Sequence, residues 1–554
     1  MQPVILQIHS SLDKLFSDCP HLSPQTVPLS ALWGETVSLQ ISCRFSPDYF
    51  DDYYTRFTAQ CPGGDVRVFQ AQQVPCSFPC LPSATGDYLF KEPRLVFDPL
   101  SEYSGEPVRL NSSYSRIFWV DVFVPVGSSN LTLDITCTSR NGTIQAQTQI
   151  PIHVVPTALG PQKVRHTEWF YSDCLCYQYG CTMFSEEFFE IARKYILCAA
   201  QHGVDTLLTP VFTPSLDIEH GDRRMPGQLV QITKTESGFS FDFSLLEKWV
   251  SVALECGIEW FEIAPFFTQW GAKYAAEIYC NTPNGIETVF GWDTPALDDS
   301  YADFLSQFLP CLMQELSRLK IKEKTFFHIS DEPSQEHLEH YRKARGMIEP
   351  YLEGCPIIDA LSSHDFYREG LVSIPVVAED HLAPFLNQTR TGPIWTYSCC
   401  CQDKLVPNIF LSMPSVRARI LGVLMYLERL DGFLRWGYNF WNSQFSKKPI
   451  NPYQVTDSEL GFPSGDAFLV YPGDNGCPVP SIRLKLLRDA FQDIRALQIL
   501  EQQIGRSDTE RVIKDFLGEI SFTHYSCDSN HFALFRRYIN EQIRKNLTLE
   551  GSQQ

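Results

Sequence analysis

Basic side chains are scarce: 45 Lys and Arg stand against 65 Asp and Glu, a formal charge of −20 at pH 7. Nucleic-acid phosphate is bound mainly through clustered Lys and Arg, so this balance argues against a nucleic-acid partner. Long apolar runs are missing as well. The longest clean one, residues 420–427, is closed off by Arg419 and Glu428 and falls far short of the roughly 20 residues a membrane span needs. The N-terminus, Met1-Gln2-Pro3-Val4-Ile5-Leu6-Gln7-Ile8-His9, lacks the basic and apolar regions of a secretory leader, which makes a cytoplasmic location the expectation. H-E-x-x-H, G-x-S-x-G, P-loop and G-x-G-x-x-G patterns do not occur, so zincin, nucleophile-elbow and nucleotide chemistries lack their motifs. No solenoid period, heptad run or low-complexity tract is present, which disfavours a stacked scaffold.

What is present is the composition of a folded protein. The 554 residues are 44 % hydrophobic, 13 % aromatic and 20 % charged, a balance able to bury a large core. The nineteen cysteines are odd in number, and Cys198, Cys256 and Cys311 lie in apolar segments where a thiol behaves as a small hydrophobe, so they are read as reduced. Cys174, Cys176 and Cys181, or the run Cys399-Cys400-Cys401, offer ligands for a thiophilic metal. Neither has the spacing of a common zinc site, and no metal or cofactor is expected.

From Leu6 to about Val155 the chain reads as strands separated by Pro, Gly, Ser and Asn clusters, the pattern of a β-sandwich. Residues 156–161 form a plausible linker. From His166 short runs of β-branched and aromatic residues alternate with amphipathic helices, the signature of repeated βα units. Candidate strands cover 167–174, 204–212, 258–267, 325–330, 356–361, 374–378, 393–398 and 433–440. Eight strands with interposed helices is the count of a (β/α)8 TIM-type barrel, whose active sites lie on the loops that follow the strands. Insertions at 217–241 and 271–296 are expected as loops over one face. A helix at 482–503 is taken as the last of the barrel, and shorter helices near 509–517 and 531–545 as an appendage. The expected organisation is therefore a multidomain β plus α/β chain: a β-sandwich over 1–157, a catalytic barrel over 158–505 and a small C-terminal helical appendage over 506–554.

The segment Thr325-Phe326-Phe327-His328-Ile329-Ser330-Asp331-Glu332-Pro333 carries the strongest chemical signal. An apolar strand runs into two adjacent carboxylates, and Pro333 then forces the chain out of the ladder. Neighbouring side chains on a regular strand face opposite ways, so both acids reach one ligand only if the chain turns there. Two close carboxylates repel and burial disfavours the charged form, which leaves one protonated near neutral pH and competent as a general acid. The alternative is a charge pair at the start of the helix that follows Ser334.

Aromatics cluster at the same strand ends. Trp169, Trp270, Trp292, Trp395, Trp436 and Trp441 lie there, with Tyr171, Tyr397 and Tyr438 interleaved. Aromatic faces pack on the C–H face of a sugar ring, and their polar tips supply directed hydrogen bonds. Asn439 is a further candidate for a sugar hydroxyl or amide. His328 and Arg435 read equally well as satisfied core groups, and Asp205 as structural. His337 and His340, with Glu336 and Glu339, read as a solvated helix face.

The His328 to Pro333 segment, the start at Trp169 to Tyr171, the strand Gly432-Phe433-Leu434-Arg435-Trp436-Gly437-Tyr438-Asn439-Phe440-Trp441-Asn442 and the turn Gly465-Asp466-Ala467-Phe468-Leu469-Val470-Tyr471-Pro472-Gly473 together resemble the catalytic domain of glycoside hydrolase family 123. The resemblance covers about residues 164–501. It implies a β-sandwich followed by a (β/α)8 barrel that removes terminal β-linked N-acetylgalactosamine with retention of configuration and without a cofactor. It also implies an adjacent Asp-Glu catalytic dyad, matched here by Asp331 and Glu332, and a glycan or glycolipid ending in an N-acetylhexosamine as partner. The sequence leaves open a β-N-acetylglucosaminidase of the same mechanism and a noncatalytic carbohydrate-binding protein on a barrel scaffold.

Overall fold

A computed structural model of the chain describes residues 3–17, 29–48, 53–236, 238–387 and 390–551. Met1 and Gln2, part of the leader reading, lie outside the described residues. The N-terminal region is two facing five-stranded sheets. One runs Val4–Ser10, Thr36–Phe45, Arg116–Phe123, Asp65–Cys76, Arg94–Glu102; the other runs Leu29–Trp33, Ile144–Ala158, Leu131–Thr138, Tyr54–Gln60, Val108–Arg109. Leu131–Thr138 has one buried face, and Leu131, Leu133, Ile135 and Cys137 alternate into the core between the sheets, as one-sided burial requires.

Arg116–Phe123 breaks that alternation because both of its faces are covered. Phe118, Val120 and Val122 fill the space between the two sheets. Ile117 and Trp119 point the other way, into the same core as the parallel sheet that follows. Asp121, on that outer face, accepts a hydrogen bond from Lys485 Nζ at 2.7 Å and pairs with Arg488 at 3.2 Å, both on the long helix Ile482–Ile504. Ser481 caps that helix by accepting from the Leu484 amide, one of the orphan donors of a helix start.

The second region is a ring of eight short parallel strands: Arg165–Glu168, Thr206–Thr209, Trp260–Ile263, Thr325–Phe327, Ile358–Leu361, Ile374–Ala378, Trp395–Tyr397 and Gly432–Arg435. The eighth pairs back onto the first. The fourth and fifth are joined by a single parallel bridge between Phe327 and Ile357, so the barrel is nearly closed. The strands fall where the sequence places them but are shorter. The first ends at Glu168, and residues 172–179, expected partly as strand, form the helix Ser172–Tyr179. The cause is Asn439, whose side chain accepts from the Tyr171 amide at 2.8 Å and donates to the Tyr171 carbonyl at 3.0 Å, taking both groups out of any ladder.

Two expectations are corrected. The insertions are not plain loops: Gly238–Asp242, Gln231–Thr235, Ile278–Thr282 and Gly285–Phe290 pair in that order as a four-stranded sheet. Nor do the last two helices, Arg506–Leu517 and Ser529–Gly551, stand apart. Phe532, Phe535, Ile539 and Ile543 join the main core. Arg536 bridges Glu35 of the sandwich and Asp493 of the last barrel helix, each at 2.8 Å.

Candidate active site

At the C-terminal ends of the barrel strands lies a cleft with a cavity of about 550 Å³. Its floor is organised by acids that the strands themselves bring inward. Glu262, in the third strand, accepts from Thr167 Oγ1 at 2.6 Å and Trp169 Nε1 at 2.7 Å. His328 sits between two carboxylates, 2.5 Å from Glu262 and 2.8 Å from Asp359. Burial alone would lower the His328 pKa, but the two acids lift it to about 10. Asp359 also accepts from the Tyr341 hydroxyl at 2.5 Å and the Ile329 amide at 3.1 Å. Every polar atom of this pad is tied, so His328 is a charged positioning group beneath the acids above it.

The fourth strand stops at Phe327, and the chain then climbs to Asp331 and Glu332 as irregular backbone. Glu332 has φ 44°, a left-handed conformation that a side chain with a Cβ adopts at a cost of order 1–3 kcal/mol. That local reversal swings both carboxyls toward one cavity, which a regular strand could not do. The neighbouring loop is strained alongside it, with Trp270 at φ 60° and Ala272 at φ 54°. It is pinned to the acid segment by the Trp270 amide on the Asp331 carbonyl, 2.8 Å, and by the Gly271 and Ala272 amides on Ser330 Oγ, 3.2 and 3.0 Å.

The electrostatics push the pair toward the protonated form. Burial raises Asp331 well above the ordinary carboxylate range, and the neighbouring charges of Glu332, Asp359 and Glu262 add to it, against the opposing pull of His328. Burial also raises Glu332; the Tyr397 hydroxyl, donating to Oε1 at 2.6 Å, pulls it back, and Cys401 pushes it further up. Two acids this close titrate as a unit.

The walls are largely aromatic. Trp169, Tyr171, Trp270, Tyr397 and Trp436, all named from the sequence, line the cleft with Asp331 and Glu332. The other aromatic candidates do not line it. Trp292 donates to the Asp222 carbonyl at 2.8 Å and packs behind His220, which itself lines the cleft. Trp395 starts the seventh strand, at the opposite end of the barrel, against Gly432 and Phe326. Tyr438 donates to the Tyr195 carbonyl at 2.8 Å and Trp441 to the Val470 carbonyl at 3.0 Å, both in the core, and Asn439 is spent on the Tyr171 backbone. Arg435 is a barrel-core group paired with Asp466 at 2.8 Å, and Asp205 pairs with Arg165 at 3.0 Å.

Besides Tyr171, the cleft is lined by groups not singled out from the sequence: Gln269, Asp217 and Phe445. The Tyr171 hydroxyl and Gln269 Nε2 are buried without a protein hydrogen-bond partner, and both residues line the cleft. Buried polar atoms in native structures are nearly always satisfied, so these two are poised for a ligand. Asp217 accepts from the Phe445 amide at 3.0 Å and its carboxyl is pushed by burial up to about 6. Phe445 stands edge-on to Trp270, ring centroids 6.2 Å apart. Gln269 was reachable by the argument that found Trp270, since it too follows the third strand; Asp217 and Phe445 arrive on long connections with no periodic signal.

A cleft with an aromatic lining, a proton-holding pair of acids and unpartnered polar tips can bind a ring-shaped polar ligand and protonate an oxygen on it. Comparison with known proteins agrees. The family model for the glycoside hydrolase 123 catalytic domain matches residues 169–500. A solved family 123 glycoside hydrolase from Clostridium perfringens, described in terms of glycolipid glycan hydrolysis, superposes with a TM-score of 0.76 at 15 % identity, covering 100 % of both chains. A family 5 mannosidase from Rhizomucor miehei gives a TM-score of 0.34 at 13 % identity, covering 60 % of this chain and 94 % of that one. No curated protein sequence matches.

Proposed function

The chain belongs to glycoside hydrolase family 123, and on that premise we propose that it releases terminal β-linked N-acetylgalactosamine from glycans or glycolipids, with retention, by using the sugar's own acetamide as nucleophile. The observation that carries the reading is the left-handed turn at Glu332, which turns Asp331 and Glu332 toward one aromatic cleft.

The bond changes follow from those two acids. The acetamide carbonyl oxygen attacks the anomeric carbon and forms a C–O bond as the glycosidic C–O bond breaks. Glu332 gives its proton to the departing oxygen. Asp331 accepts a hydrogen bond from the acetamide N–H and balances the positive charge of the cyclic oxazolinium. Water then attacks the same carbon and gives its proton to the Glu332 carboxylate, which reopens the ring and restores the acetamide. Two inversions give net retention, and no protein carboxylate nucleophile is needed. Tyr397 holds the acid in place through its bond to Oε1. The Tyr171 hydroxyl and Gln269 amide are the free partners for the sugar's polar groups.

The test is nitrophenol release from the paired β-N-acetylgalactosaminide and β-N-acetylglucosaminide by the wild type, Glu332→Gln and Asp331→Asn. Turnover of the galacto sugar that falls by about 10²-fold or more in both variants supports the reading. Preference for the gluco sugar would keep the mechanism and change the substrate. Efficient cleavage of a plain β-galactoside, which has no acetamide, would refute the mechanism.

A further inference from the structure

We propose that Cys399, Cys400 and Cys401 form a capture site for one soft d10 metal ion, such as Zn²⁺ or Cd²⁺, and that an ion held there blocks the cleft beside Glu332. The ion site stands on its own geometry; the block rests on the reading of the cleft given above.

The three sulfur atoms all lie within 4.8 Å of one another, and no other His, Cys, Asp or Glu group among the described residues converges in this way. Cys400 Sγ and Cys401 Sγ are 3.9 Å apart. Thiolates bound to one zinc at about 2.3 Å would be separated by about 3.8 Å, so a small side-chain rotation completes the site. Elsewhere among the described residues thiols meet in pairs, as at Cys43 and Cys137 or Cys176 and Cys181, each 4.0 Å apart.

Convergence of three consecutive side chains needs a turn, and this one is held from within the barrel. The Gln402 amide donates to the Cys399 carbonyl at 3.1 Å, and Gln402 Oε1 accepts from the Cys399 amide at 3.0 Å. Asn408 Nδ2 ties the carbonyls of Cys399 and Gln402 at 2.9 and 3.0 Å, and its oxygen accepts from the buried Arg435 at 3.2 Å. Such bracing fixes the ligands before the ion arrives, which lowers the ordering cost of binding.

Position gives the site its consequence. All three cysteines line the same cavity as Asp331, Glu332 and Tyr397. Cys401 is exposed and Cys399 buried, so the ion enters from the cleft side. On binding, each of three thiols releases its proton to solvent and donates an electron pair to the ion, and no electron is transferred. The product is a tris-thiolate centre with one net negative charge and a fourth position for water. That bulk and charge stand where a sugar beside Glu332 would have to pass.

The experiment uses the full chain in a phosphine reductant, titrated with Cd²⁺ and followed by the ultraviolet thiolate-to-metal charge-transfer band, with N-acetylhexosaminide turnover read on the same samples. The expected result is a band that saturates at one equivalent, loss of turnover with the same midpoint, and recovery of both on adding a chelator. Cys400→Ser/Cys401→Ser should lose the one-equivalent band and its turnover should become insensitive to Cd²⁺, whereas Cys477→Ser, at an exposed thiol elsewhere, should behave as the wild type. No saturable band, or a band that persists in the double variant, overturns the site; a full band with turnover intact overturns the block. A chain inactive on both N-acetylhexosaminides counts against the functional reading, while the band still decides the ion site.

Discussion

Two aspartates withdrawn from water in this molecule are treated in opposite ways. Asp121, where the sandwich meets the last barrel helix, is surrounded by Lys485, Arg488, Ser38 Oγ at 2.6 Å and Trp119 Nε1 at 2.7 Å. Burial alone would raise its pKa, but Arg488 and Lys485 hold it far below the ordinary range. Asp331 is driven up by burial, and Glu332, Asp359 and Glu262 around it add to the rise against the pull of His328. The backbones differ in the same sense: Asp121 lies in a regular strand, whereas Asp331 precedes the left-handed Glu332. Where a carboxylate serves the architecture it is given cations; where it is one half of an acid pair that shares a proton it is buried among other acids, and strain is tolerated to keep it there.

The strongest way to break this contrast is to neutralise each acid. Glu332→Gln and Asp331→Asn should lower kcat/KM on the acetamido sugar by about 10²–10⁴-fold, with urea-unfolding midpoints at or above that of the wild type, since each removes like-charge repulsion. Asp121→Asn should do the reverse. It leaves Lys485 buried without its anion and Arg488 with Asp489 alone, and should cost about 3–5 kcal/mol in unfolding free energy, while the turnover of the remaining folded enzyme is unchanged.

A pH series of urea unfolding sharpens the contrast through its sign. Asp121, depressed in the folded state, contributes stability that is complete above the unfolded value of about 3.9 and is lost as pH falls through the folded value. Asp331, raised in the folded state, does the opposite: the folded chain binds its proton more tightly, so stability declines as pH rises from about 4 through the folded value. Asp121→Asn should flatten the acid loss and Asp331→Asn the decline with rising pH. The smallest effect belongs to Tyr397→Phe. Losing its bond to Glu332 should cost about 1 kcal/mol, or roughly fivefold in kcat, and should move the basic limb of the activity profile upward, because that bond favours the ionised carboxyl.

Much of this was legible in the residues. Eight apolar runs marked the barrel strands, and an acid pair after the fourth marked the floor of the cleft. Adjacent acids on a strand can face one ligand only where the chain turns; Pro333 marks such a turn in the sequence, but its actual form, a positive φ at Glu332, has no signature in an ordinary glutamate. Aromatic position was a weaker guide. Trp270 and Trp436 reach the cleft, but Trp395 sits at the start of its strand rather than the end, and Tyr438 and Trp441 lie beyond the eighth strand where the chain has turned into the core. The carboxylates that set the field, Glu262 and Asp359, look in sequence like isolated acids in apolar strands. Their role depends on two strands from different βα units meeting across His328, which is a property of barrel closure rather than of any local pattern.

The central claim is that the acid pair in the cleft holds a proton because burial, reinforced by the acids around it, disfavours the charged form. The most direct test is the pH dependence of kcat/KM on the nitrophenyl β-N-acetylgalactosaminide, wild type beside Asp331→Asn. The account predicts a basic limb with its midpoint well above the ordinary glutamate value of about 4.3, moved to lower pH in the variant along with its reduced rate. A wild-type rate that already falls away at an ordinary carboxylate pKa, or a basic limb that Asp331→Asn leaves in place, would contradict it.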